Sequence, residues 1–169
     1  NIYMVLIFAE SPRGNLKKAA FEAVTYGKKV AALLGTDCVA LTLGPVKDAG
    51  ELGRYGASRV LNVADAAFGS FDSQTYAAAI AGRLAVRLGA GLVSGVNSLP
   101  EANGSHLKVK KSVFSGKAIA EYEITSAVKV LSLMGNAVKP EMTGSPVSVE
   151  AVSAGHGAGR IRVKEVKTQ

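Results

Sequence analysis

The chain has 169 residues, of which 48% are hydrophobic and 20% charged, enough apolar material for one globular domain with a core and too much for a disordered chain. No apolar run reaches the roughly 18 residues that argue for a membrane-spanning helix, and a single cysteine, Cys38, excludes a disulfide framework and fits a reducing compartment. The net charge of +7 invites a nucleic-acid reading, but Lys and Arg alternate with apolar residues in KVKK and RIRVKEVK, which is the pattern of a solvated strand face without the aromatic run that stacks on bases.

In chain order, NIYMVLIFAE reads as a buried first strand over residues 3–9, followed by a loop at 10–14. Leu16, Ala20, Ala23, Val24, Gly27, Val30, Ala31 and Leu34 then fall at helical spacing, with Asn15 as the expected cap and Gly35 as the stop. A second strand is expected at 38–43, a short helix at 46–55 and a third strand at 59–63, after which Asp72 or Ser73 caps a further helix. Such alternation implies parallel strands covered by helices. Val5, Ile7, Leu41, Leu61 and Val93 all belong to runs that read as buried on both sides, as central parallel strands are.

From Gly91 the pattern changes. GLVSGV is followed by hairpin strands and by alternating runs at 147–152 and 160–166. The fold class is α/β: a Rossmann-like, mostly parallel sheet with helices on both faces and an antiparallel hairpin and meander extension, in one domain over residues 1–169.

The hairpin can be read in register. With Ser115 and Gly116 as a two-residue loop, Phe114 stands opposite Lys117, Lys110 opposite Glu121 and Lys108 opposite Glu123, so opposite charges pair on a solvent-facing side. On the other side Val113 meets Ala118, Val109 meets Tyr122 and Leu107 meets Ile124, an apolar ladder expected to be buried. A third run, VKVLSL, follows Ser126 as a meander strand.

KKSVFSGKAIAEYEI followed by VKVLSL resembles the late strand segment of the N-terminal domain of the electron-transfer flavoprotein alpha subunit. IFAES, GNLKKAAFEAVTYGKKVAALLG, LGRYGASRVLNV, FDSQTYAAAIA and RLAVRLGAGLVSGV follow one another as they do in that family, closest in character to its bacterial members. No single motif is diagnostic; the ordered series is. Two departures stand out. The family places a hydrophobic strand between the helices resembling FDSQTYAAAIA and RLAVRLG, whereas here they run together at Ala81, Gly82 and Arg83. A break in backbone continuity is therefore expected within a residue or two of Gly82. The family also continues into a second domain that supplies most of the contacts to FAD, while this chain stops at Gln169.

The resemblance implies a heterodimeric electron carrier that takes electrons from flavin dehydrogenases such as acyl-CoA dehydrogenases. It passes them to a quinone-linked oxidoreductase and so to the respiratory chain, within fatty acid oxidation and the bacterial cytoplasm. This domain would be the scaffold that packs on the beta subunit, with FAD mainly on the later domain and none expected here alone. It is not expected to be an enzyme, to bind nucleic acid or to insert into a membrane.

The residues themselves carry little chemistry. Glu10, Ser11 and Arg13 lie at the carboxyl end of the first strand, where open α/β sheets place ligands, although Asn15 and its neighbours also suit plain helix capping. Gly155-His156-Gly157-Ala158-Gly159 resembles a phosphate loop but precedes a strand rather than a helix, so it reads as a strand connection. His106 and His156 lack companion ligands at metal spacing, Asp65 and Asp72 read as turn and cap residues, and Cys38 reads as a buried structural thiol. No Ser-His-Asp, Cys-His or paired-carboxylate arrangement stands out. Catalytic and metal-binding residues are thus none, and cofactor-binding residues stay unassigned. Two other readings remain open: a universal-stress-like nucleotide-binding domain and a plain interaction module.

Overall fold

A computed structural model describes residues 4–64, 85–86 and 88–153. The strands described are β1 (Met4–Phe8), β2 (Asp37–Leu43), β3 (Arg59–Val63), β4 (Gly91–Val96), β5 (Glu101–Asn103), β6 (His106–Val113), β7 (Ala118–Ile124), β8 (Lys129–Leu133) and β9 (Val149–Ala151). They build a parallel sheet in the order β1-β2-β3-β9, a parallel pair β4-β8 and an antiparallel sheet β5-β6-β7. Mostly parallel pairing with an antiparallel extension is the α/β class expected.

The helix α1 (Lys18–Leu34) joins these sheets. Ala20 and Val24 pack with Ala9, Ala40, Leu52 and Val60 over the parallel sheet, while Tyr26 and Val30 pack with Val93, Val96, Leu107, Val109 and Ile124 over the hairpin side. A helix with two such stripes fixes two sheets against each other without hydrogen bonds between them. Gly27 costs about 1 kcal/mol relative to Ala in a helix interior, but a Cβ there would collide with the Ile7 side chain of β1. The missing side chain is what lets α1 lie directly on the sheet.

The helix starts later than its apolar spacing suggests. Arg13 and Gly14 both adopt positive φ, 55° and 74°, in a 3-10 turn over Pro12–Gly14, and Asn15 is extended, so the chain turns outward before the helix can begin. Lys17 is the cap residue and gives no side-chain cap bond; Asn15 instead donates from Nδ2 to the Arg13 carbonyl at 3.0 Å. The C-terminal stop is as expected, with Gly35 left-handed at φ 63° as such ends favour. The short helix expected at 46–55 is a 3-10 helix over Ala49–Tyr55, delayed by Asp48 at φ 51°.

The hairpin register is as read from the sequence: Leu107 with Ile124, Lys108 with Glu123, Val109 with Tyr122, Lys110 with Glu121 and Val113 with Ala118. Phe114 to Lys117 form the turn, with Phe114, Ser115 and Gly116 all at positive φ. Three expectations are corrected. Tyr122 is 42% exposed although its partner Val109 is fully buried: β7 is the outer strand of its sheet, and the core reaches only its last residue, Ile124. The run after Ser126 does not extend the meander but pairs in parallel with β4. Ser126 causes this, because its hydroxyl accepts the Gly91 N–H at 2.8 Å and donates to the Val128 carbonyl at 2.7 Å, aiming the chain at β4. Finally, β1 is not buried on both sides. It ends its sheet among the described residues, and Met4 and Leu6 are 47% and 49% exposed.

A strap without regular structure runs from Met134 to Val147 across α1. The Asn136 N–H donates to the buried Glu22 carboxylate and the Glu141 N–H to the buried Thr25 hydroxyl, each at 3.1 Å. Farther on, the Val147 N–H donates to the Gly50 carbonyl at 3.1 Å, which delivers β9 to the edge of β3. The run at 147–152 thus joins the parallel sheet instead of the antiparallel extension. The helix after Asp72 or Ser73, the expected break near Gly82, Asp65, the loop around His156 and the run at 160–166 lie outside the described residues.

Candidate functional site

Two loops meet at the carboxyl end of the parallel strands, one leaving β1 and one leaving β2. They are interlocked: the Lys47 N–H donates to the Gly14 carbonyl at 2.9 Å, and a Cβ on Gly14 would run into the Pro45 carbonyl. Arg13 and Asp48, both non-glycine residues in the left-handed region, flank this junction. Backbone strain of that kind persists only where the surroundings hold it, so the collar is preformed.

Beside it, between the start of α1 and the 3-10 helix, lies an open groove of about 280 Å³. Phe21 and Tyr55 are stacked in it, with ring centroids 4.3 Å apart and planes 21° from parallel. Asn15, Lys47, Asp48 and Glu51 make its polar rim, and Glu51 is committed to Arg54 at 2.8 Å.

Of the positions singled out in the sequence, Glu10, Ser11 and Arg13 do stand at the carboxyl end of β1, yet none lines this groove. Ser11 uses its carbonyl for the Gly14 N–H at 3.0 Å, a turn role. Lys47, Asp48 and the aromatic pair were not foreseen. The turn-forming run GPVKD after an apolar strand is the signal that could have marked the second loop.

A smaller crevice of about 110 Å³ sits under the strap. Its cations are already used: Lys29 pairs with Glu141 at 2.7 Å and Lys28 donates to the Thr143 hydroxyl. The crevice is a seam in the packing.

The titratable groups are structural as well. Burial pushes the Cys38 thiol up to about 11, against a smaller opposing effect of Lys28, so at neutral pH it is a thiol packed under Val24, whose carbonyl lies 3.9 Å away. Burial likewise raises the Tyr26 phenol to about 12, where it donates to the Ser98 carbonyl at 3.0 Å. His106 meets Glu123 across the hairpin at 3.1 Å. No group of three or more His, Cys, Asp or Glu suited to a metal occurs among the described residues, and no helix among them is long and apolar enough to cross a membrane.

The chain matches the family model of the electron transfer flavoprotein domain in two successive stretches, residues 5–82 and 78–157. The stretches meet at the seam around Gly82. None of the curated proteins searched matches the chain.

Proposed function

Because the chain belongs to the electron transfer flavoprotein domain family, whose members are electron carriers, we propose that it is the N-terminal domain of an alpha subunit of the bacterial type. In this reading it is a scaffold. It packs on a beta subunit and supports a separate flavin domain, while the assembled carrier takes electrons from flavin dehydrogenases such as acyl-CoA dehydrogenases and delivers them through a quinone-linked oxidoreductase to the respiratory chain. The reaction belongs to fatty acid oxidation in the cytoplasm.

The observation that carries the proposal is the family match, which runs from β1 through β9 and so covers every described sheet. The interior supports the scaffold role: the Gly14–Pro45 collar, the strap and the buried Cys38 and Tyr26 are all engaged in packing. FAD, when bound to the whole carrier, supplies the redox chemistry. In this reading the flavin sits on another domain.

Titration of the chain with FAD tests this assignment. No saturable binding tighter than about micromolar, roughly −8 kcal/mol, is expected, whereas a stoichiometric yellow complex would overturn it. Co-expression with a beta subunit should yield a stable heterodimer; failure to associate would remove the alpha-subunit reading.

A further inference from the structure

The β7 strand has β6 on one side and no strand on the other among the described residues. Along that edge Ile119 is 74% exposed and Tyr122 is 42% exposed, with Ala118 before them, Ala120 and Glu121 between them and Glu123 after them. Open apolar edges of this kind are templates for pairing with another chain, and sequences usually blunt them. Here the sequence AIAEYEI, preceded by Lys117, reads as complementary to itself.

We propose that β7 pairs antiparallel with β7 of a second copy of this chain, about a twofold axis through Ala120. A twofold axis normal to the sheet keeps each face on its own side, so it must pass through a residue position, and the candidate centres can be compared directly. Centring on Glu121 sets two carboxylates opposite one another, which is unfavourable. Centring on Ile119 shortens the paired stretch.

Centring on Ala120 sets Lys117 opposite the second copy's Glu123 at both ends, so the end charges are complementary in this register, and it sets Ile119 opposite the second copy's Glu121. The two Ile119 side chains become diagonal neighbours, about 7–8 Å apart at the backbone and within reach of each other. On the opposite face each Tyr122 ring stands over Ala118, whose small side chain leaves it room. The residues that β7 leaves exposed are thus the ones that this pairing covers, and Leu107, Val109 and Ile124 in the core beneath are untouched. The inference is independent of the flavin-carrier reading.

Sedimentation of the full chain from micromolar concentrations upward tests the pairing. A monomer–dimer equilibrium is expected, weakened at least about tenfold by Lys117→Glu or by Glu123→Lys, since each places like charges opposite at two symmetric positions. The double variant Lys117→Glu with Glu123→Lys restores complementarity and should recover the dimer. Ile119→Asp, at an exposed position, should abolish it while the circular dichroism spectrum stays unchanged. A chain that stays monomeric at every concentration overturns the proposal. So does a dimer indifferent to all of these variants, or an edge occupied only by a different protein.

Discussion

At the scale of single residues, exposure decides which substitutions matter in the hairpin. Leu107 and Tyr122 lie on the same face of neighbouring strands, but Leu107 is buried in the core and Tyr122 stands at the edge. Leu107→Ala should therefore cost about 2–5 kcal/mol, while Tyr122→Ser in the monomer should cost well under half of that, measured by urea unfolding below the dimerisation range. Exchanging Lys110 and Glu121 should change stability by no more than about 1 kcal/mol, because exposed pairs contribute little. Their charges are in any case shared: Lys110 lies 3.2 Å from Glu101 and 3.7 Å from Glu121, and Lys108 reaches diagonally to Glu121 at 3.9 Å. Gly27→Ala sets about 1 kcal/mol gained in helix propensity against about 1–3 kcal/mol of overpacking on Ile7. A lower unfolding midpoint is expected. An unchanged or raised midpoint would show that α1 can lift off β1 at little cost.

At the scale of elements, the strap is the dependent piece. It has no regular hydrogen-bond ladder of its own, so its backbone donors rely on Glu22 and Thr25 of α1. Thr25→Val should leave the Glu141 N–H without its acceptor at a cost of about 1–3 kcal/mol. Faster amide exchange is expected at Glu141 and along the strap, with α1 itself unchanged; uniform exchange throughout would instead indicate global loosening. The strap also delivers β9, which Arg59 clamps through two bonds to Glu150 at 2.8 and 2.7 Å. Those bonds, above all, hold the Glu150 carboxyl below its ordinary pKa. A depressed carboxylate contributes stability above its unfolded pKa and loses it as pH falls through the folded value. The β9 amides should therefore lose exchange protection under acid before those of β2 do.

For the whole molecule, alkaline stability follows from the two buried acids. Cys38 and Tyr26 both ionise later in the folded state, at about 11 and about 12 against ordinary values of 9.0 and 10.0. Each contribution is fully present below the unfolded pKa and is lost as pH rises through the folded one. Stability should fall from about pH 9 upward, and Cys38→Ala should remove the earlier part of that loss. A profile flat to pH 11 in the parent chain would contradict the burial of both groups.

The sequence by itself determined the elements whose signals are local. Apolar alternation set β2, β3, β6 and β7 to within a residue, Gly35 ended α1, and paired charges with paired apolar residues admitted one hairpin register. The ordered series of segments also identified the family. Only the tertiary structure decided what depends on neighbours distant in the chain. Ser126 sends β8 to β4, the strap sends β9 to β3, and α1 covers β6 but reaches only Ile124 at the end of β7. Tyr122 and Met4 are apolar in any local reading, and they are exposed because each stands on a strand that ends its sheet. Periodicity specifies which face a residue shares with its neighbours in sequence, and it carries no record of whether another layer arrives to cover that face.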